Sequence, residues 1–127
     1  EPYTLIEDVR HDTLRLWARA AGVQWKGWDL ANFPELDVRG AVAVEDIATG
    51  QTLVSVPLSA GLCLDAATSC PFPASFAAHE AWTECLRWEF KMAWYLFWEK
   101  SRGRSSPKFE FIDAMPERVD TLLQQGV

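Results

Sequence analysis

The stretch LDVRGAVAVEDIATGQTLVSVP, residues 36–57, decides the fold that the sequence predicts. Its first part, residues 38–44, is rich in Val and Ala, and residues 52–56 alternate polar and apolar side chains until Pro57 stops the pattern. Gly50 lies between the two parts, where a turn requires a positive φ. We therefore predict two short antiparallel β-strands, at about 38–44 and 52–56, that pair as a hairpin.

An amphipathic helix is predicted before this stretch, over about residues 12–21. One face of it carries Leu14, Trp17, Ala18 and Ala21. Asp12 or Thr13 can cap its start and Gly22 can end it. Residues 23–36 contain too much Gly, Asn and Pro for a helix, so they predict an extended, aromatic-rich connection, in which residues 28–32 could form a strand.

A long helix is predicted after the strands, over about residues 76–102, with Ser75 as its cap and Gly103 as its end. Its predicted core row contains Trp82, Leu86, Ala93, Leu96 and Phe97. A second row contains Trp88, Lys91, Tyr95 and Trp98. A helix that is apolar on two sides is buried between layers, or it requires a neighbour that this chain does not supply.

The remaining segments give weaker patterns. Residues 58–64 could add a brief third strand, and residues 65–73 predict a loop because of their Ser and Pro content. Residues 102–108 form a short basic stretch rich in Ser, for which a solvated loop is the prediction. Pro116 suits the first turn of a last helix, over about residues 116–125.

Length and composition limit the class of protein. The 127 residues suffice for a single core, so we treat residues 1–127 as one unit of class α+β. The net charge of -6 and the scattered Lys and Arg argue against nucleic acid and favour a basic or neutral partner. No apolar run is long enough to span a bilayer, so no membrane partner is expected. The seven Trp residues are the unusual feature, because most of them would have to be covered in a stable monomer.

The titratable side chains suggest neither a catalytic constellation nor a metal site. His11 and His79 each have one acid beside them and no third group, so both are interpreted as ordinary surface histidines. Cys63, Cys70 and Cys85 lack the spacing of a zinc site or a disulfide framework, which predicts an intracellular, reducing compartment. Cys85 itself lies on an apolar row and is predicted as a small core residue. No catalytic residue is predicted.

Five pieces of the sequence follow one another in an order that is typical of a known family. A helix with Leu16-Trp17-Ala18 ends at Gly22, and the aromatic connection ends at Asn32-Phe33. The run A-x-x-D-I-x-x-G-x-x-L-x-x-V-P follows, formed by Ala43, Asp46, Ile47, Gly50, Leu53, Val56 and Pro57. A helix end at 96–103 and the segment SPKFEFIDAMPE at 106–117 complete the series. Together they resemble the N-terminal part of SET-domain protein methyltransferases, in the Rubisco large-subunit methyltransferase-like branch, which includes the actin-histidine methyltransferase type.

The resemblance implies S-adenosylmethionine as cofactor and a protein as methyl acceptor. In the family, the strand and turn near the first Gly pack along the cofactor, which suits a residue without a Cβ. On this sequence the cofactor-binding positions correspond to Asp37, Val38, Arg39 and Gly40. The chain departs from the family pattern in having one Gly here where two are frequent. It also has Phe109, Glu110 and Phe111 where Trp, Pro and Tyr are usual.

Three hypotheses follow. The family's Asn-His motif and active-site Tyr lie downstream of the last matched segment, so the first hypothesis is the N-terminal portion of a SET-type protein-lysine or protein-histidine methyltransferase. Its catalytic half would be absent, and that half or another chain would cover the aromatic surface. The second is a non-catalytic SET-like scaffold or binding subunit, which the departures favour. Both imply a protein substrate or partner subunits, in the cytosol, nucleus or plastid. The third is an unrelated small α+β interaction domain.

Overall fold

The structure is a computed structural model and describes residues 2–64, 80–85 and 87–117. Two small antiparallel sheets form its β part. The larger has the strand order β1-β3-β4, with β1 at Thr4–Leu5, β3 at Trp28–Phe33 and β4 at Val38–Ala43. The smaller pairs β2 at Gln24–Trp25 with β5 at Val54–Ser55.

Helices supply the rest of the regular structure. They are α1 at Val9–Ala20, α2 at Glu80–Thr83, α3 at Trp88–Ser101 and α4 at Phe109–Asp113, with short 3-10 turns at Leu58–Ala60 and Gly103–Ser105. The mixture of helices and small antiparallel sheets confirms the α+β class. The strand that the sequence allowed at residues 28–32 is also confirmed, because β3 spans Trp28–Phe33.

The predicted hairpin is wrong in its pairing. Strand β4 pairs with β3, from Phe33 opposite Val38 to Trp28 opposite Ala43, and β5 pairs with β2 instead. The turn at residues 34–37 is short and is closed by the Leu36 N–H, which donates to the Phe33 carbonyl at 3.1 Å. A short loop costs less entropy to close than the connection at 44–53, so β4 joins the strand that precedes it. The connection at 44–53 crosses from one sheet to the other.

Helix α1 begins earlier than its apolar pattern predicts. Asp8 is the N-cap, and its carboxylate accepts a hydrogen bond from the His11 N–H at 2.8 Å, so neither Asp12 nor Thr13 has this role. The end of α1 is as predicted. Gly22 follows it with a φ of 87° and donates its N–H to the Arg19 carbonyl at 3.0 Å.

The predicted long helix is interrupted. Helix α2 ends at Thr83, and α3 begins only after Arg87, whose backbone is extended. Thr83 and Cys85 lie at this break, and both have low helix propensity, which favours an interruption here. Cys85 therefore lies between two helices and not on an apolar helical row. Ser75 and residues 76–79 lie outside the described residues, while the predicted end at Gly103 is confirmed, with a φ of 54°.

Three further segments differ from the prediction. Residues 58–60 form a 3-10 turn and not a strand. For residues 109–113, which form α4, the sequence predicted no element. The stretch 102–108 is not simply a solvated loop, because Ser106 and Lys108 are buried. Pro116 and Glu117 are not helical, and the remainder of the predicted last helix lies outside the described residues, as does the predicted loop at 65–73.

The core is small for the amount of apolar sequence. The buried apolar residues of the described chain are Ile6, Ala31, Ala60 and Ala114. None of the seven Trp residues is buried. On α3 the predicted core row is only partly covered, because Leu96 is half-buried while Ala93 is exposed and Phe97 is 72% exposed. The second row is likewise mixed, with Tyr95 and Trp98 half-buried and Trp88 exposed. Large apolar side chains therefore remain at the surface of α3 and beside β5.

Candidate functional site

The four positions predicted to bind a cofactor lie at the turn between β3 and β4. Asp37 closes the turn with a φ of 50°, and Val38 and Arg39 begin β4 at the surface. A Cβ at Gly40 would lie 3.1 Å from a ring carbon of Phe33, so this Gly makes room for an aromatic ring of the neighbouring strand. The close approach that the sequence predicts at Gly40 is therefore made by Phe33.

The backbone of β4 remains available at its outer edge. The Val44 N–H donates to the Gly27 carbonyl at 2.9 Å, which fixes every second residue of β4 as hydrogen-bonded to β3. The N–H and C=O groups of Arg39 and Ala41 consequently point away from β3. A cofactor can lie along this edge and use main-chain groups, so the predicted residues fit it through their backbone and not through the space at Gly40.

The Arg39 side chain is already engaged. Its Nη1 lies 3.0 Å from His11 Nε2 and donates to the Ala114 carbonyl at 3.1 Å. Arg39 therefore connects β4 with α1 and with the end of α4. Sequence reasoning gave no signal for this contact, since Ala114 is distant in the chain and contributes only a backbone oxygen.

His11 is buried, so the prediction of a surface histidine is wrong for it. Its Nδ1 lies 2.8 and 2.9 Å from the two carboxylate oxygens of Asp8. Because a guanidinium can only donate, His11 Nε2 accepts from Arg39 and Nδ1 carries the proton that is donated to Asp8. Both ring nitrogens are occupied, which leaves neither to serve as a general base. His79 lies outside the described residues.

Asp8 is the acidic end of this chain of contacts. The backbone N–H of His11, and then its imidazole, hold the pKa of the Asp8 carboxyl below its ordinary value. The spacing of Asp8 and His11 is that of a helix N-cap and the donor it serves. This spacing is the one sequence signal that could have shown the pair.

Arg15 makes a second connection from α1 to the larger sheet. Its Nε and Nη2 donate to one carboxylate oxygen of Asp29 at 3.2 and 2.9 Å, and Nη2 also donates to the Ile6 carbonyl at 2.7 Å. Nη1 donates to Asp12 at 2.8 Å. One guanidinium thus ties α1 to β3 and to the segment that follows β1.

A third polar cluster holds the connection between α3 and α4. The Ser106 hydroxyl donates to the buried Glu99 carboxylate, which also accepts from Arg102 at 3.2 Å. The Lys108 N–H donates to Ser106 Oγ at 3.0 Å, and its ammonium donates to the Ser59 carbonyl at 2.5 Å. Burial, and then Glu99, raise the pKa of Tyr95 above its ordinary value.

An apolar cavity of about 410 Å³ lies between α1 and the two sheets. Its wall includes Leu14, Trp17, Trp25, Trp28, Val54, Val56 and Phe111. The surface of the cavity is almost entirely apolar, and two indole N–H groups of its wall have partners: Trp17 Nε1 donates to the Pro107 carbonyl and Trp28 Nε1 to the Leu53 carbonyl, both at 2.9 Å. The Arg15 and Asp29 side chains bind each other. The cavity therefore offers carbon surface to an occupant.

The described residues hold no ready-made metal site. Among residues 2–64, 80–85 and 87–117, no group of three or more His, Cys, Asp and Glu side chains could hold a metal ion. Within the same residues, no helix has both the length and the apolar character needed to cross a membrane. Comparisons with protein-family models, curated proteins and solved structures give no match to this chain.

Proposed function

We propose that residues 1–127 are the N-terminal portion of a SET-type protein methyltransferase, which transfers a methyl group to a lysine or histidine nitrogen of a protein. Polypeptide outside these residues completes the fold and supplies the reacting groups. The proposal rests on the five ordered sequence pieces and on one structural observation, the apolar surface that the described chain leaves open.

The open surface carries the proposal. On α3, Phe97 is 72% and Phe90 is 55% exposed on one side of the helix, and Trp88 is 66% exposed on the opposite side. Leu58, after β5, is 77% exposed. Monomeric soluble proteins rarely leave large contiguous apolar patches in water, and such patches mark interfaces. Further polypeptide that packs here would add to the small core of the described residues.

S-adenosylmethionine, when bound, supplies a methyl group on a sulfonium that an amine or imidazole nitrogen can attack. The residues of this chain would contribute only binding. The outward N–H and C=O groups of Arg39 are suited to hydrogen bonds with the polar ends of such a cofactor, and the Asp37 turn limits the site at one end. His11 takes no part, since both nitrogens of its imidazole are hydrogen-bonded.

A non-catalytic SET-like scaffold is the second candidate, and two observations favour it. Phe33 fills the space above Gly40, where the resemblance places the cofactor. Phe109 and Phe111, which stand where the family has Trp and Tyr, have packing roles. The Arg104 guanidinium lies 4.8 Å above the Phe109 ring, and Phe111 stacks on Trp17 at a centroid distance of 6.1 Å.

Calorimetric titration with S-adenosylmethionine separates the two candidates. The titration is run on residues 1–127 and on a longer natural chain that continues past Val127. Binding by the longer chain alone, together with methyl transfer to a protein substrate, is the expected result. A longer chain that folds and does not bind the cofactor would overturn the methyltransferase and leave the scaffold.

A further inference from the structure

Strand β5 has a free edge. The Lys26 N–H donates to the Leu53 carbonyl at 3.2 Å, so Lys26 with Leu53 and Gln24 with Ser55 are the hydrogen-bonded pairs of the smaller sheet. Val54 lies between these pairs, and its N–H and C=O point away from β2. The same alternation applies to Val56. In the part of the chain that the structure describes, no hydrogen bond reaches these four backbone groups.

The side chains of this edge face the cavity. Val54 and Val56 line it together with Val23 and Trp25 of the β2 side, whereas Ser55 lies on the opposite face of the sheet. Because side chains alternate along a strand, a further strand beside β5 would place every second side chain over the cavity. The free edge and the cavity therefore belong to one surface.

The size and chemistry of this surface favour polypeptide over a small molecule. The cavity of about 410 Å³ is well above the roughly 150 Å³ that accommodates one benzene molecule. Its wall is almost entirely apolar, so it offers a small polar ligand few groups to bind. The apolar surface also continues past the mouth, since Val54 and Val56 are 47% and 56% exposed and Leu58 is more so. An occupant that covers all of this must be extended.

The net charge of the chain indicates which kind of extended segment would bind here. The net charge of -6 favours a partner with Lys or Arg at its polar positions. We propose that the free edge of β5 binds an extended, basic polypeptide segment that pairs with Val54 and Val56 and places alternate apolar side chains in the cavity. This inference rests on the proposed function, which requires a further polypeptide, and it adds to that function the place where such a polypeptide binds.

The outer edge of β4 provides an internal control. Arg39, Ala41 and Ala43 also direct their N–H and C=O groups away from a paired strand. Ala41 and Ala43 are small, and no residue of β4 lines the cavity. A strand added beside β4 could form main-chain hydrogen bonds, but its side chains would have no apolar cavity to enter, unlike those of a strand added beside β5.

The test uses residues 1–127 and capped synthetic peptides, with no S-adenosylmethionine present. The probe is KVTVKVTVK, its pattern control is the isomer KKVVVVTTK, and its charge control is EVTVEVTVE. Backbone hydrogen exchange is followed by NMR at Val54 and Val56, and at Ala41 and Ala43. We expect the probe to slow exchange at Val54 and Val56 only, and to bind more tightly than either control.

Matched variants add a second readout. Val54→Pro removes the outward N–H of β5, a position where an edge strand tolerates Pro, and Ala41→Pro does the same on β4. Val54→Pro loses one main-chain hydrogen bond to the probe, so its affinity for the probe should fall by about fivefold. Ala41→Pro should bind the probe with the affinity of the unmodified chain. Circular dichroism checks that both variants are folded. If Val54→Pro does not fold, the hydrogen-exchange data on the unmodified chain decide the question.

Several results would overturn the inference. If KKVVVVTTK binds as tightly as the probe, the cavity takes apolar groups without strand pairing. If EVTVEVTVE binds as tightly as the probe, the bound segment need not be basic. Slowed exchange at β4, or no binding of the probe, would reject the site. Concentration-dependent protection of Val54 without peptide would make a second copy of this chain the occupant. None of these results affects the cofactor titration, so the two proposals fail separately.

Discussion

Two parts of the molecule differ in how they are covered, and we name them the closed side and the open side. On the closed side, α1, the three-stranded sheet and α4 are joined by directed polar contacts from Arg15, His11 and Arg39. On the open side, α3 and β5 present apolar side chains to solvent. Polar contacts of fixed geometry can complete a local structure within the chain. Exposed apolar side chains show where a further polypeptide could pack.

Trp17→Ala should have the largest effect on this comparison. The substitution removes the stacking on Phe111 and the hydrogen bond to the Pro107 carbonyl, which together join α1 to α4. We expect a loss of about 3 kcal/mol in the free energy of unfolding, measured by urea denaturation. Trp88→Ala on the open side is the matched control and should change it by less than about 0.5 kcal/mol. Equal losses in the two variants would show that the sides do not differ.

Arg15→Met should have the second largest effect. It leaves the Asp29 carboxylate and the Ile6 carbonyl without their shared donor, at a site where the Arg15 side chain is only 17% exposed. Asp29 is partly solvated, so we expect a loss of about 2 kcal/mol. The control is Arg87→Met, which breaks an exposed ion pair with Glu89 and should cost almost nothing. An Arg15→Met chain as stable as the control would reject the role of Arg15.

Arg39→Met tests the contact between β4, α1 and α4. The loss of hydrogen bonds to His11 Nε2 and to the Ala114 carbonyl should cost about 1.5 kcal/mol. A double-mutant cycle with His11→Phe measures how much of this belongs to the pair. Strictly additive effects in the cycle would mean that Arg39 and His11 act independently.

The dependence of the free energy of unfolding on pH, below neutral pH, should show the contribution of Asp8. Its pKa is lowered in the folded state, so its stabilising contribution is complete above the ordinary pKa of the carboxyl and is lost as the pH falls through the lowered value. Asp8→Asn should therefore destabilise the chain at neutral pH, and the difference from the unmodified chain should shrink on acidification. A difference that stays constant with pH would contradict this assignment.

Phe97→Ser should have the smallest effect on folding. The side chain is 72% exposed, so we expect the free energy of unfolding to change by less than about 0.5 kcal/mol. Because the substitution removes apolar surface from the open side, self-association should decrease, which sedimentation velocity measures. A large destabilisation would place Phe97 in the core and remove α3 from the open side.

The sequence predicted those features that depend on neighbouring residues. The alternation around Val54 and the Val-Ala run near Val42 gave strands at the right places, and Gly22 and Gly103 gave two helix ends. Features that depend on distant residues were not predictable. The pairing of β4 with β3 is decided by loop lengths, and the burial of His11 depends on Arg39.

The candidate site divides in the same way. The resemblance implied a close approach at Gly40, but neither the turn at Asp37 nor the ring beside Gly40 was predicted, because the turn forms with the pairing of β3 and β4 and Phe33 reaches Gly40 only through the strand register. Cofactor binding at Asp37, Val38, Arg39 and Gly40 remains a prediction. The cavity was not predictable either, since its wall combines α1, both sheets and α4.

The contact between Trp17 and Pro107 has a consequence for the order of folding. These residues are 90 positions apart, and Arg39 and Ala114 are 75 apart. Contacts of such long sequence separation form slowly, because the intervening chain must first be brought together. During synthesis α1 leaves the ribosome long before Pro107 is made, so the Trp17 face waits uncovered until Pro107 and α4 have also left the ribosome.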